Sequence, residues 1–380
     1  MYLDYAATTP VDPRVIKAMM PYYGQIFGNT MSLHQMGMKT AAAVEKVRKV
    51  VADFIGAQPE EIIFTGSATE SNNMVLKGLA EAYPDKKKIL ISAIEHDCIV
   101  ESTKWLSNKG YIVKKIPVDR EGFVNLDFIK KEMDEDTLVV SVIHGNNEIG
   151  TIQDIGAIGK VCLEKGVYFH TDAAQSLGKV KIDVEKEMID LLTGSSHKIY
   201  GPKGAAFLYV KKGIKITPLL HGGGHENGLR SSTVNAPAIV GMGKAIEIIK
   251  KSQDENQKIK KLRDKLIDGI LKTIPDCFLN GSKDNRLVNN VNISFKRVEG
   301  EGMLLELDGY NISCSTGSAC SSRMLEPSAV LLAIGLKAEE AHGSLRFSLG
   351  RWTTDEDIDY VLKVLPLVVN RFRKMSPFKN

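Results

Sequence analysis

The 380-residue sequence has no apolar run approaching the roughly 18 uncharged residues that span a bilayer. Its opening, MYLDYAATTP, lacks the basic stretch and apolar core of a secretory leader. No membrane partner is expected, and a cytoplasmic location is. Cysteine is scarce: Cys98, Cys162, Cys277, Cys314 and Cys320 form an odd set with no CxxC pair, which argues against a disulfide framework and a structural zinc site. Charge of one sign is also missing, since 50 Lys and Arg against 46 Asp and Glu leave a formal charge of +4. The densest basic stretch, Lys258 to Lys265, is interrupted by acids, so no nucleic-acid partner is expected. Internal repeats and low-complexity linkers are absent too. What remains, 43% hydrophobic and 25% charged residues, is an ordinary globular composition that excludes disorder and fibrous structure.

From about Thr40 to Val240, helix-like and strand-like stretches alternate: AAAVEKVRKVVADFIG, EIIFTG, KKILISAIEH, LVVSVIH, VYFHTDAAQ. That alternation predicts an α/β fold with a mostly parallel sheet between helices. Runs such as ILISA and LVVSVI, rich in β-branched residues, suit central strands buried on both faces, and such sheets bind ligands beyond the carboxyl ends of their strands. Apolar spacing predicts one long helix from Ala238 to Thr273 linking two domains. Beyond it, VNNVNISF and SLRFSLG read as strands and Asp355 to Met375 as an amphipathic helix, giving a smaller α+β unit.

Several segments carry candidate chemistry. In SSHKIYGPKG a Gly-Pro turn presents Lys198, either as a Schiff-base nucleophile for a pyridoxal phosphate or as an ordinary surface lysine. Asp172 ends the strand in VYFHTDAAQS, either pairing with a pyridinium nitrogen or capping a helix. Gly66, Ser67, Ala68 and Thr69 stand between a strand and a helix, where free amides could hold a phosphate or where Ser67 or Thr69 could be a cap. Cys320 lies in the small-residue stretch SCSTGSACSSRMLEP and is the best thiol nucleophile, whereas Cys314 follows an apolar strand and reads as structural. His96, after a strand, could be a platform for a flat ring or a capped strand end. Arg346 alternates with apolar residues and suits a structural ion pair or a substrate carboxylate. The two histidines of HGGGHENGLRSST are separated by glycines, so no resident metal site is expected.

In order, LDYAATTP, GSATESNN, EHD, NNEIG, TDAAQS, SSHKIYGPKG, HGGGHENGLRSST, STGSAC, LEPS and SLRFSLGR resemble the cysteine desulfurases of the NifS and IscS type over nearly the whole chain. The resemblance implies a fold-type-I pyridoxal 5'-phosphate enzyme, a homodimer that takes sulfur from L-cysteine, leaving alanine and a persulfide. It implies a large cofactor-binding domain over residues 13–252 and a small domain formed by 1–12 and 253–380. Lys198 would be the Schiff-base lysine and proton shuttle, Asp172 the partner of the ring nitrogen, Gln175 a contact of the ring hydroxyl, and His96 the stacked ring that assists proton transfer. Ala68, Thr69, Ser195 and His197 would bind the phosphate, with Thr233 reaching the partner subunit's cofactor. Asn147, also a cofactor contact, and Arg346 would bind substrate. Cys320 would carry the sulfur to an iron-sulfur scaffold or another acceptor, and could be a transient iron-sulfur ligand. The pattern departs from the family at Thr30, at the extra thiol Cys314 and in ending at Asn380, soon after SPF. Alternatives are a selenocysteine lyase or aminotransferase on the same scaffold, and a non-enzymatic sulfur-relay or scaffold-binding subunit.

Overall fold

A computed structural model describes residues 1–252, 254–316 and 326–376. Seven strands form the first sheet: β1 (Ile62–Thr65), β2 (Lys88–Ser92), β3 (Ile112–Ile116), β4 (Thr137–Ser141), β5 (Tyr168–Asp172), β6 (Leu191–Ser195) and β7 (Ala206–Val210). Their order is β1-β7-β6-β5-β4-β2-β3, and only β7 runs against the rest. The sheet is thus mostly parallel, as expected from the alternating segments. TLVVS of β4 is buried at every position because helices cover both faces, whereas IVKKI of β3, at the sheet edge, keeps its lysines in solvent.

The helices flanking this sheet are α1 (Pro13–Met19), α2 (Pro21–Gly24), α3 (Gln35–Ile55), α4 (Ala68–Ala82), α5 (Asp97–Ser107), α6 (Leu126–Glu132), α7 (Ile155–Lys165) and α8 (Ala236–Lys251). Their starts are written locally: Asp12, Ser67, Asn125, Asp154 and Asn235 each accept a first-turn amide. Gly56 and Gly166 end α3 and α7 in the left-handed conformation. Phe169, Phe207, Val51 and Ile246 are buried in the core on one face of the sheet.

A second, antiparallel sheet has the order β10-β9-β8, from β8 (Cys277–Leu279), β9 (Asn290–Phe295) and β10 (Ser344–Ser348). It packs with α9 (Glu255–Thr273), α10 (Gly300–Gly309) and α13 (Asp355–Met375), while the short α11 (Ala329–Ala333) and α12 (Ala338–His342) precede β10. Leu3, from the start of the chain, is buried in this second core beside Phe295, Phe347 and Leu365. Asp4 bridges to Ser348, so the first residues join the last strand.

The continuous helix expected over residues 238–273 is two helices, α8 and α9. Ser252 leaves the helical conformation at φ −107°, ψ 59°, and its hydroxyl turns back to the Ile248 carbonyl. Apolar spacing on both sides hides that break, because each helix buries its own face in a different core.

Candidate active site

The carboxyl ends of β2, β4, β5 and β6 open into a cavity of about 370 Å³, within the roughly 300 to 1,000 Å³ typical of small-molecule sites. Asp172 forms its floor. The Ala174 amide donates to Oδ1 at 2.9 Å and Asn72 Nδ2 to Oδ2 at 2.6 Å, and Asp172 is only 4% exposed. The capping alternative is realised as a tight turn at Ala174 rather than a helix start. It coexists with a carboxylate aimed into the cavity.

Lys198 ends a single 3-10 turn, Ser196–Lys198, directly after β6. Tyr200 follows in the left-handed region at φ 64°, a conformation held where its hydroxyl accepts the Arg351 amide and the Arg351 guanidinium lies 4.2 Å above its ring. The chain then returns as β7, so the whole turn projects at the sheet's carboxyl edge. Lys198 Nζ donates to the carbonyls of Ala6 at 2.5 Å and Ala7 at 2.8 Å. Gln175 Nε2 donates to the same Ala6 oxygen at 2.8 Å. The surface-lysine alternative does not hold.

His96 sits after β2 and caps α5: the Cys98 amide donates to Nδ1 at 3.2 Å. A ring that accepts at Nδ1 carries its proton, when neutral, on Nε2. The Cys98 thiol lies 3.1 Å from Nδ1 and accepts from Asn72 Nδ2 at 3.1 Å; burial pushes it up to about 12, so it stays protonated. Both Asn72 hydrogens are thus used, one on Asp172 and one on Cys98. That fixes the amide's orientation, since the opposite one would place Oδ1 against a carboxylate.

At the other end, Ser67 caps α4 and leaves the first-turn amides of Ala68 and Thr69 without intrahelical partners. These amides, on a fifteen-residue helix, suit an anion at the cavity mouth. His197 lies alongside, its Nδ1 3.1 Å from Thr8 Oγ1; burial first, then Lys198, holds it down to about 4 and therefore neutral. A flat, phosphorylated aldehyde with a ring nitrogen fits this donor set: a lysine for the aldehyde, a buried carboxylate for the nitrogen, an imidazole for the ring face and helix amides for the phosphate.

Arg346, on β10, enters from the second sheet. Its guanidinium donates to Asn147 O at 3.1 Å and Asp4 Oδ1 at 2.9 Å, while Nε is buried without a partner. Asn147 lines the same wall. Two acids that sequence reading gave no role, Glu95 and Glu148, line the cavity as well. Burial drives Glu95 up to about 8 and Glu148 to about 7. Glu95 Oε1 accepts from Ser92 Oγ and the Ile143 amide; Glu148 accepts from Ser328 Oγ at 2.5 Å. Both stand in segments already singled out, EHD and NNEIG, but a carboxylate in a loop gives no sign of burial until the fold encloses it.

Ala68, Thr69, His96, Asn147, Asp172, Gln175, His197, Lys198 and Arg346 therefore share one cavity. Ser195 is buried at the end of β6 and is not on the cavity wall. Thr233 is exposed and lines a separate pocket with Gly66 and Arg230. Cys320 lies outside the described residues. Cys314 is half-buried against the second core, its thiol pushed up to about 12 by burial, as a structural cysteine should be. Among the described residues no cluster of three metal-ligating side chains occurs, and no helix is long and apolar enough to cross a membrane.

Residues 1–361 match the family described as aminotransferase class-V. The chain is similar to the cysteine desulfurase IscS of Dictyoglomus turgidum, 49% identical over 381 residues that cover 100% of this chain and 97% of that protein. Among solved structures it is similar to a NifS-like protein, with TM-score 0.92, 38% identity and coverage of 98% of this chain and 99% of that one. It is also similar to SspA in complex with cysteine, with TM-score 0.81, 37% identity and coverage of 93% and 99%. With the sheet, the cavity and its donor set in agreement with these likenesses, the chain belongs to the cysteine desulfurases, pyridoxal phosphate-dependent enzymes of the class-V aminotransferase family.

Proposed function

We propose that the cavity takes L-cysteine and delivers its sulfur to Cys320, releasing L-alanine. The observation that carries this reading is the convergence of Lys198, Asp172 and the unpartnered Nε of Arg346 around one cavity. Bound there, pyridoxal phosphate supplies an electron sink for the substrate carbon that bears the amine. Arg346 Nε donates to the substrate carboxylate, and Asn147 closes the same wall. Lys198 would hold the cofactor aldehyde and, when free, would move the proton of the substrate α-carbon. Asp172, itself held by Asn72, would keep the cofactor's ring nitrogen protonated. His96, which lines the cavity with its proton on Nε2, would serve as a proton donor there. The Cys320 thiolate attacks the substrate sulfur: an S–S bond forms, the carbon–sulfur bond breaks with its electron pair left on carbon, and a proton completes alanine. No external oxidant or reductant is needed. The sulfur then passes to an iron-sulfur scaffold or another acceptor.

The catalytic unit of this reading is a homodimer in which residues 13–252 hold the cofactor, and residues 1–12 with 253–380 carry Arg346 and the Cys320 loop. Met20, Tyr23, Phe27, Met31 and Leu33 are exposed within one short stretch, Leu33 at 91%, more apolar surface than a lone subunit is expected to leave in water. Met31 and Val234 line one open cavity of about 490 Å³, next to Thr233, which supports Thr233 reaching the partner's site rather than its own.

The test is to add L-cysteine to the purified holoenzyme and quantify alanine and Cys320 persulfide, with Lys198→Ala and Cys320→Ser as controls. Both products, lost in both controls, support desulfuration. Cofactor absorbance without persulfide would favour another reaction on the scaffold, such as transamination or selenocysteine cleavage. Light scattering of wild type and Leu33→Glu tests the dimer, which the charge should weaken.

A further inference from the structure

Lys179 lies outside the donor set described above. It follows Gly178, whose φ of +74° folds the chain sharply after TDAAQS, and the lysine turns back beneath the cavity floor. Its Nζ donates to the Gln175 carbonyl at 2.8 Å and lies 3.4 Å from the Lys198 carbonyl. No carboxylate pairs with it among the described residues. Burial first, then the neighbouring Lys198, brings it down to about 7. Lys179 is half-buried, and main-chain carbonyls stand where an ion-pair partner would.

The two carbonyls it meets belong to the two residues whose side chains converge above. Gln175 Nε2 and Lys198 Nζ both donate to Ala6 O. The two residues are thus held twice, by their main chains from Lys179 below and by their side chains from Ala6 above. The turn itself is anchored from α9, where Asn256 Nδ2 donates to the Gly178 carbonyl at 3.1 Å. A second cavity, of about 250 Å³ and lined by Lys179, Asn256 and Ile199, lies behind this clamp, so no packed side chain could replace it from that side.

We propose that Lys179 is a positioning residue that sets the spacing between Gln175 and Lys198 and thereby aligns the lysine with the cofactor aldehyde. This rests on the reading of the cavity as a pyridoxal phosphate site. Lys179 touches neither cofactor nor substrate; it acts through the two carbonyls.

The experiment titrates pyridoxal 5'-phosphate into full-length apoprotein of wild type, Lys179→Met and Lys179→Arg. It follows the absorbance of the lysine-bound cofactor, the fraction trapped on Lys198 by borohydride, and the melting curve of each apoprotein. The expected result is about tenfold weaker cofactor binding and a smaller trapped fraction in Lys179→Met, from the loss of its hydrogen bonds to the two carbonyls, with melting unchanged and recovery in Lys179→Arg. Wild-type affinity and trapping in Lys179→Met would overturn the inference, as would a melting loss that parallels the binding loss. If Lys179→Met does not fold, Lys179→Leu, which likewise removes the donor, is read by the same criteria. Failure of wild type to bind the cofactor would instead overturn the cofactor reading, and this inference with it.

Discussion

Asn72 donates through Nδ2 to Oδ2 of Asp172 at 2.6 Å, from the second turn of α4 to the end of β5. The amide ties the helix whose start faces the phosphate end of the cavity to the carboxylate at the opposite end. Asn72→Ala leaves a buried carboxylate short of a donor. Cofactor affinity should fall about tenfold, the worth of a hydrogen bond to a charged group, and fluorescence titration with the cofactor checks it.

His96 should be found with its proton on Nε2, because the Cys98 amide already occupies Nδ1. Nitrogen-15 NMR of the labelled histidine distinguishes the two tautomers directly. His96→Ala should lower the rate of alanine formation by about 100-fold or more, the usual effect of removing a positioned acid or base. Cofactor binding should be reduced less, since Lys198 and Asp172 remain.

Arg346→Lys keeps the charge and loses the Nε donor and the planar fork. The KM for L-cysteine should rise about tenfold or more while cofactor binding stays near wild type, because a point ammonium cannot satisfy Asp4, the Asn147 carbonyl and a substrate carboxylate together. Steady-state kinetics against cysteine concentration separates this loss from a fall in kcat.

Glu95 sets a pH dependence of stability. Burial raises its carboxyl from an ordinary 4.5 to about 8, so between those values the folded protein keeps a proton that the unfolded chain gives up. Stability contributed by this group is full below about pH 4.5 and is lost as pH rises through about 8, falling by roughly 1.4 kcal/mol per pH step of one between those two values. Glu95→Gln removes that slope. Urea unfolding at pH 5 and pH 8 should show a smaller difference in the variant than in wild type.

Much of the site was legible because its residues sit where local rules show them. A buried β-branched run marks β4, and a Gly-Pro turn after an apolar strand presents Lys198 at the cavity. Asp172 ends β5 and His96 follows β2 as the cap of α5, at the edge where α/β sheets gather ligands. The boundaries of α13 also follow its pattern, from the Thr354 cap to Met375. Asn72 was not legible, since a polar residue on an amphipathic helix reads as surface until a strand end 100 residues away is brought against it. The break at Ser252 was hidden for a related reason. The apolar rhythm resumes at once in α9, and only the partition of the two faces between two cores separates the helices. Ser195 and Thr233, expected to contact a cofactor from the motifs they stand in, lie off the cavity wall, because a pattern does not say which way a side chain or a subunit turns.

The contact of Ala6 with Gln175 and Lys198 bears on when the site comes into being. The same short segment is fastened to the far end of the chain: Asp4 pairs with Arg346 across 342 residues, and Tyr5 donates its amide to Ser348. The ceiling over Lys198 is therefore among the most non-local parts of the molecule, and closing so long a loop is a slow, late event. A nascent chain that has already built the first sheet has the floor of the cavity but not the strap across it. The cavity is therefore complete only when both ends of the chain have met across it, whatever the order in which the two sheets form.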